Sequence, residues 1–187
     1  MSIEEINIRI FNWINSGATA NSFFAKVAMF SSYNLIGAFL IFLTVLLLFK
    51  DKKYQFQYFK TVVMVVLSSF VVKLLHAFYH HPRPFDLGLG HTLIHHSSSS
   101  SMPSQHTLTV AIIAFSFLMS EYCQIGVFGL FVSLIVGWSR IYMGVHFPFD
   151  VLGSFVMAFL IVFSFNILIK RFISKSKQSI TVQAVDV

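Results

Sequence analysis

Five apolar stretches, separated by short polar segments, govern what this chain can fold into: about 33 to 49, 59 to 80, 107 to 120, 125 to 142 and 149 to 169. A helix needs about 20 mostly apolar residues to cross a bilayer, since each residue advances about 1.5 Å through a core about 30 Å thick. The first stretch reaches that length only by extending back toward Phe24. The third is short, so its ends must lie in the interface or be covered by neighbouring helices. Ser120 to Gln124 alone separates the third from the fourth, which predicts a tight helical hairpin. Composition agrees, with 56% hydrophobic and 11% charged residues against roughly 25% charged in soluble domains. The expected fold is all-α: a polytopic membrane helix bundle of about five transmembrane helices, one domain over 1–178, followed by a disordered tail over 179–187.

Ahead of the first span, Ile3, Ile6, Ile10, Phe11, Trp13 and Ile14 recur at helical spacing, with Glu4, Glu5 and Arg9 between them. That pattern predicts an amphipathic helix lying on the membrane surface. A secretory signal peptide is not expected from this pattern, because the first residues are acidic and no apolar core follows before Gly17. Lys50, Lys52, Lys53 and Lys60 flank the first connection, and Lys170, Arg171, Lys175 and Lys177 follow the last span. The excess of Lys and Arg assigns both regions to the cytoplasm and the amino terminus to the outside. Segments 81 to 106 and 140 to 148 then share the outer face. The net charge of +6 sits beside apolar segments and not over a polar face, so it speaks for membrane orientation and against nucleic acid. Cys123 has no partner for an internal disulfide.

Polar residues cluster where the apolar runs end. Lys73, His76, His80 and Arg83 fall on one helical stripe that leads outward, and Pro82 and Pro84 break the helix around Arg83. Such a stripe suits an anion, although Lys and Arg at helix ends also snorkel to headgroups. Ser104 stands at a helix start, where free backbone amides favour phosphate, and His106 follows it; ordinary capping also explains Ser104. Arg140 closes the fourth run, and Pro148 opens the fifth with His146 before it and Asp150 in its first turn. Four residues apart, the Asp150 carboxylate can hold one ring nitrogen of His146 and leave the other nucleophilic. Taken alone, Asp150 serves equally to complement the helix dipole. Eight histidines raise a metal-binding membrane protein as another class, yet their spacing fits no zinc signature. Ser97 to Ser101 reads as a low-complexity linker in the outer loop.

Read together, Ser139-Arg140-x5-His146-x3-Asp150, Pro103-Ser104-x-His106 and Arg83-Pro84 resemble, in order and spacing, the three signatures of the type 2 phosphatidic acid phosphatase superfamily. Pro82-Arg83-Pro84-Phe85, His91-Thr92-Leu93-Ile94 and Pro103-Ser104-Gln105-His106-Thr107 look most like bacterial undecaprenyl-diphosphatases of the bacitracin-resistance type. The resemblance implies a phosphohydrolase that needs no metal or other cofactor. In it His146 would be the nucleophile, Asp150 would orient it, and His106 would protonate the leaving oxygen. Arg83, Ser104, Gln105, Arg140 and either Lys73 or His76 would bind phosphate. Two positions depart from the family pattern: His76 stands where the first signature has Lys, and Gln105 where the second usually has Gly. The implied partners are a lipid diphosphate, undecaprenyl diphosphate foremost, and the bilayer of a bacterial inner membrane, with the site facing outward. Phosphatidylglycerol phosphate, phosphatidic acid and lipid A are the alternative substrates. The implied role is recycling of the peptidoglycan carrier lipid and resistance to bacitracin.

Overall fold

The structure is a computed structural model that describes residues 1–185, with the backbone alone for 176–185. The described residues form six main helices: α1 Ile3–Asn15, α2 Phe23–Leu48, α3 Lys52–Phe78, α4 Gln105–Leu118, α5 Cys123–Tyr142 and α6 Pro148–Val185. Four pieces are long and apolar enough to cross a membrane, namely α2, α3, α5 and Pro148–Lys175 of α6. The short α4 lies among them, against α5, α6 and α3. Leu108, Val110, Ala111, Ile112, Ile113, Ala114 and Phe117 are all buried, so this helix meets protein on every side. Its 14 residues therefore need not match the bilayer.

Caps set the helix starts. Ser22 Oγ accepts the Ala25 N–H at 3.1 Å and Asp51 Oδ1 accepts that of Tyr54 at 3.0 Å, each satisfying a donor with no partner inside its own helix. The first span thus begins at Phe23, with a π turn over Ser31–Leu35 inside it. α3 ends at Phe78, before His80 and the Pro82-Arg83-Pro84 break, so the expected stripe from Lys73 to Arg83 is not continuous helix.

α4 and α5 approach closely because α5 presents glycine toward its partners. A Cβ at Gly126 would lie 2.2 Å from the backbone nitrogen of Leu118, and one at Gly129 would lie 3.2 Å from Ala114 Cα. Small residues at such a contact let backbones meet within lipid. α3 and α4 share a buried polar knot: Gln57 Nε2 donates to the Ser116 carbonyl at 2.6 Å and to its Oγ at 2.8 Å, and Thr61 Oγ1 lies 2.7 Å from the same Oγ. At the end of the bundle holding the α4–α5 turn, Lys53 pairs with Glu121 and Tyr122 donates to Asp51, joining the two short loops.

α1 does more than lie on a surface. Asn7, Phe11 and Asn15 are buried against α5, α6 and the 88–94 segment, whereas Ile3 and Trp13 are 73% and 80% exposed. The pattern Ile3, Ile6, Ile10, Trp13 is therefore only one of its two contact faces; the other is built on asparagines, which an apolar periodicity does not register. At the opposite terminus α6 runs through 179–185, where the sequence predicts a disordered tail, because no Gly or Pro after Gly153 stops the helix. The rest of that tail, residues 186 and 187, lies outside the described residues.

Candidate active site

The site forms where α3, α4, α5 and α6 all present one end to the long 79–104 connection and the short turn 143–147. Arg83 has extended backbone and leads into a 3-10 turn at Pro84–Leu87, with its N–H donating to Asp86 Oδ2 at 3.1 Å. Its side chain is buried and its guanidinium fully engaged. Nε donates to the Ser99 carbonyl at 2.9 Å, Nη1 to the Val145 carbonyl at 2.9 Å, and Nη2 to Ser99 Oγ and the Ser100 carbonyl, each at 3.1 Å. Burial draws its pKa below the ordinary guanidinium value, against the pull of Asp150 and Asp86.

The serine run is consequently no linker. Ser98 Oγ donates to Asp86, Ser99 Oγ accepts from Arg83, Ser100 Oγ accepts the His81 N–H, and Ser101 Oγ donates to Asp150 Oδ2 at 2.7 Å. These four hydroxyls have different partners, and Ser100 and Ser101 are buried.

His146 sits in the turn between α5 and α6. Gly144 makes that turn at φ +76°, and a Cβ there would lie 2.3 Å from the His91 carbonyl oxygen, so glycine serves both the dihedral and the close approach. His146 Nδ1 lies 3.6 Å from Asp150 Oδ2, just beyond hydrogen-bonding distance. That oxygen also accepts the Phe147 N–H at 2.8 Å. The other ring nitrogen, Nε2, stands 3.3 Å from Arg83 Nη1. Burial is the first cause that pushes the His146 pKa down to about 3; Asp150 opposes it, and Arg83 and Arg140 add to it. At neutral pH the imidazole is therefore uncharged and has one lone pair to offer. His81, unforeseen from sequence, lies 2.9 Å from Ser101 Oγ and 3.5 Å from Asp150 Oδ1 through its Nδ1. Its position two residues before Arg83 in extended chain, where alternate side chains share a side, is the signal that could have found it.

Arg140, in the last turn of α5, is buried, and its side chain makes one hydrogen bond among the described residues: Nη1 donates to Ser32 Oγ at 2.5 Å. Its Nε and Nη2 are buried and have no hydrogen-bond partner among the described residues. Ser32 belongs to the π turn of α2, and the polar pair Ser31-Ser32 inside an apolar run was its only sequence trace. His106, half-buried in the first turn of α4, lies within electrostatic reach of Arg140, His96 and Arg83. Ser104 occupies the N-cap position and is buried, but its hydroxyl accepts from Thr107 Oγ1 at 3.1 Å and caps no helix N–H.

The remaining candidates divide. His76 Nε2 is buried and unpartnered among the described residues, facing the backbone of Met102 and Pro103. Lys73 is exposed on the outside of α3. Gln105 Nε2 donates to Ser69 Oγ at 3.0 Å and Thr109 Oγ1 at 3.3 Å, which ties α4 to α3. The structure thus gathers Arg83, His106, Arg140, His146 and Asp150, sets His76 and Ser104 at the edge, and leaves Lys73 and the Gln105 amide turned elsewhere. Among the described residues, no three His, Cys, Asp or Glu side chains converge to hold a metal ion.

A family model described as the PAP2 superfamily matches residues 57–174, from α3 into α6, and so contains all five of the gathered residues. The chain belongs to the PAP2 superfamily. Undecaprenyl-diphosphatase BcrC of Bacillus subtilis (strain 168) is 31% identical over 160 residues, 86% of this chain and 82% of that protein. The crystal structure of Aquifex aeolicus LpxE superimposes with a TM-score of 0.67 at 27% identity, over 88% of this chain and 98% of that one. A PAP2 type phosphatidylglycerolphosphate phosphatase from Bacillus subtilis shares the fold, with a TM-score of 0.67 at 18% identity over 90% and 87% of the two chains. This PAP2 protein is a membrane lipid phosphatase.

Proposed function

We propose that this PAP2 phosphatase converts undecaprenyl diphosphate to undecaprenyl phosphate and inorganic phosphate through a phosphohistidine, at the outer face of a bacterial inner membrane. One observation carries the reading: the neutral His146 points Nε2 at Arg83, while Arg140 stands nearby with two buried donor nitrogens that have no acceptor among the described residues. A buried guanidinium left in that state is costly. A phosphoryl group beside Nε2 would give it the acceptors it lacks.

In the first step the Nε2 lone pair forms a bond to the terminal phosphorus, and the bond from that phosphorus to the bridging oxygen breaks. His106 gives a proton to the departing lipid phosphate. Asp150, with Ser101, His81 and the Phe147 N–H around it, holds its carboxylate toward Nδ1 and stabilises the positive charge that the ring acquires. In the second step His106 takes a proton from water, whose oxygen attacks the phosphohistidine, and the N–P bond breaks to release phosphate. Arg83 and Arg140 neutralise the equatorial oxygens in both steps, and phosphoryl transfer depends mainly on such positioning and charge. His76, and not the outward-facing Lys73, fills the place of the lysine in the family's first signature, with Ser104 beside it.

The likeness to undecaprenyl-diphosphatase BcrC supports the substrate, and with that substrate the proposed role is carrier-lipid recycling and bacitracin resistance. The Lys and Arg at the opposite end of the bundle support the outward orientation. The test is a panel of purified variants in lipid. Wild type should prefer prenyl diphosphates over phosphatidylglycerol phosphate, phosphatidic acid and lipid A phosphates, and should retain activity in EDTA. His146→Ala should be inactive. A wild-type rate in His146→Ala removes the nucleophile, and a preference for glycerophospholipid monoesters replaces the substrate.

A further inference from the structure

α1 has three faces. On the first, Asn7, Phe11 and Asn15 recur every four residues and are all buried. Each holds a part of the chain beside His146. Asn15 Nδ2 donates to the carbonyls of Tyr142 at 2.8 Å and His91 at 2.9 Å, and its Oδ1 accepts the His91 N–H at 2.6 Å. Phe11 meets Phe147 edge-on with ring centroids 5.4 Å apart. Asn7 Oδ1 accepts the Phe149 N–H at 3.1 Å. Positions 142, 147 and 149 bracket the turn that carries the imidazole.

The second face, about 120° round the helix, is Ile3, Ile6, Ile10 and Trp13, all exposed. The third, about 120° further on, holds the exposed Glu5, Arg9 and Asn12. One side for protein, one apolar and one charged is the arrangement of a helix that lies at headgroup level while docked to its own protein. The apolar side has a neighbour of the same kind, since Phe23 and Phe24 at the start of α2 are also exposed, at the same end of the bundle.

We infer that α1 is a bilayer-seated clamp: the outer leaflet takes up Ile3, Ile6, Ile10 and Trp13, and Asn7, Phe11 and Asn15 thereby hold the His146 turn in its reactive position. The asparagines and Phe11 are positioning residues, since none reaches the phosphate pocket. The kinetic part rests on His146 as the nucleophile; the membrane part does not.

A Trp138→Phe variant in liposomes, with Trp13 as its one tryptophan, reads the membrane contact without substrate. Lipids brominated near the headgroup should quench its emission more than lipids brominated deep in the chain. Absence of quenching overturns the proposal. In the same liposomes Asn7→Ala should lower kcat about 10-fold with KM changed less than about twofold, as for a displaced reacting group. Ile3→Gln/Trp13→Gln, whose replaced side chains point away from the protein, should lower kcat in the same direction and leave the thermal midpoint in detergent unchanged. That double variant guards against simple misfolding of Asn7→Ala, and unchanged kcat in either variant overturns the clamp.

Discussion

At the scale of single residues, Arg140 and His146 show function working against stability. Arg140 keeps a buried charge whose one side-chain hydrogen bond among the described residues is to Ser32, and replacing buried ion pairs by apolar side chains of similar volume is often neutral or stabilising by about 1–4 kcal/mol. Arg140→Met should therefore melt no lower than wild type in detergent while losing about 100-fold or more in kcat/KM, as expected when a charge-stabilising donor is removed. Added orthovanadate should raise the wild-type midpoint and leave the variant's unmoved. His146 has a pKa near 3 when folded and 6.5 as its reference, so below pH 6.5 the unfolded chain binds a proton that the folded one refuses. Stability must then fall with pH across that window until about 3. Thermal unfolding from pH 7 to pH 4 should show this slope, and His146→Asn should flatten it. The sequence told which residue types matter, because Arg, His and Asp beside apolar runs have few other uses. It did not tell which way they point: Lys73 and His76 stand three residues apart on one helix, yet one faces outward and the other faces Met102 and Pro103. The serine run hid its role for another reason. Five identical side chains carry no pattern, and only the folded partners distinguish Ser98 from Ser101.

Among the elements, the spans were legible and the helix between them was the less obvious part. Hydropathy registers apolar length, which is what a bilayer selects, so α5, the end of α3 and the start of α6 are visible from sequence to within two residues. The α3 start at Lys52 was not, because Tyr54 and Gln57 bury themselves against neighbours and not in lipid. α4 owes its place to contacts, and its turn into α5 depends on Gly126. Any side chain at that position meets the Leu118 backbone, which cannot swing aside. Gly126→Leu should lower stability by about 1–3 kcal/mol or more, as overpacking does. A detergent melt that matches wild type would mean that α4 and α5 can separate freely at their turn.

For the whole molecule, the arrangement places the site at one end of the bundle and the lysine-rich loops at the other. Cys123, the one cysteine of the chain and exposed, opens α5 at the lysine-rich end. In intact cells a membrane-impermeant maleimide should leave it unlabelled until the membrane is permeabilised, whereas Ser97→Cys in a Cys123→Ser background should label at once. The reverse result turns the protein over. Layout of this kind is legible because charge asymmetry and apolar length are sums over many residues. Depth is not, because it depends on where one short helix begins. A Cβ on Gly137 would touch both Thr107 and Val151, so the start of α4 is level with a point five residues, or about 7 Å, short of the end of α5 at Tyr142. His106, one residue before Thr107, thus stands deeper in the bundle than the end of α5. A phosphate that is to meet His106 would have to reach about 7 Å past the end of α5, a depth set by where α4 begins.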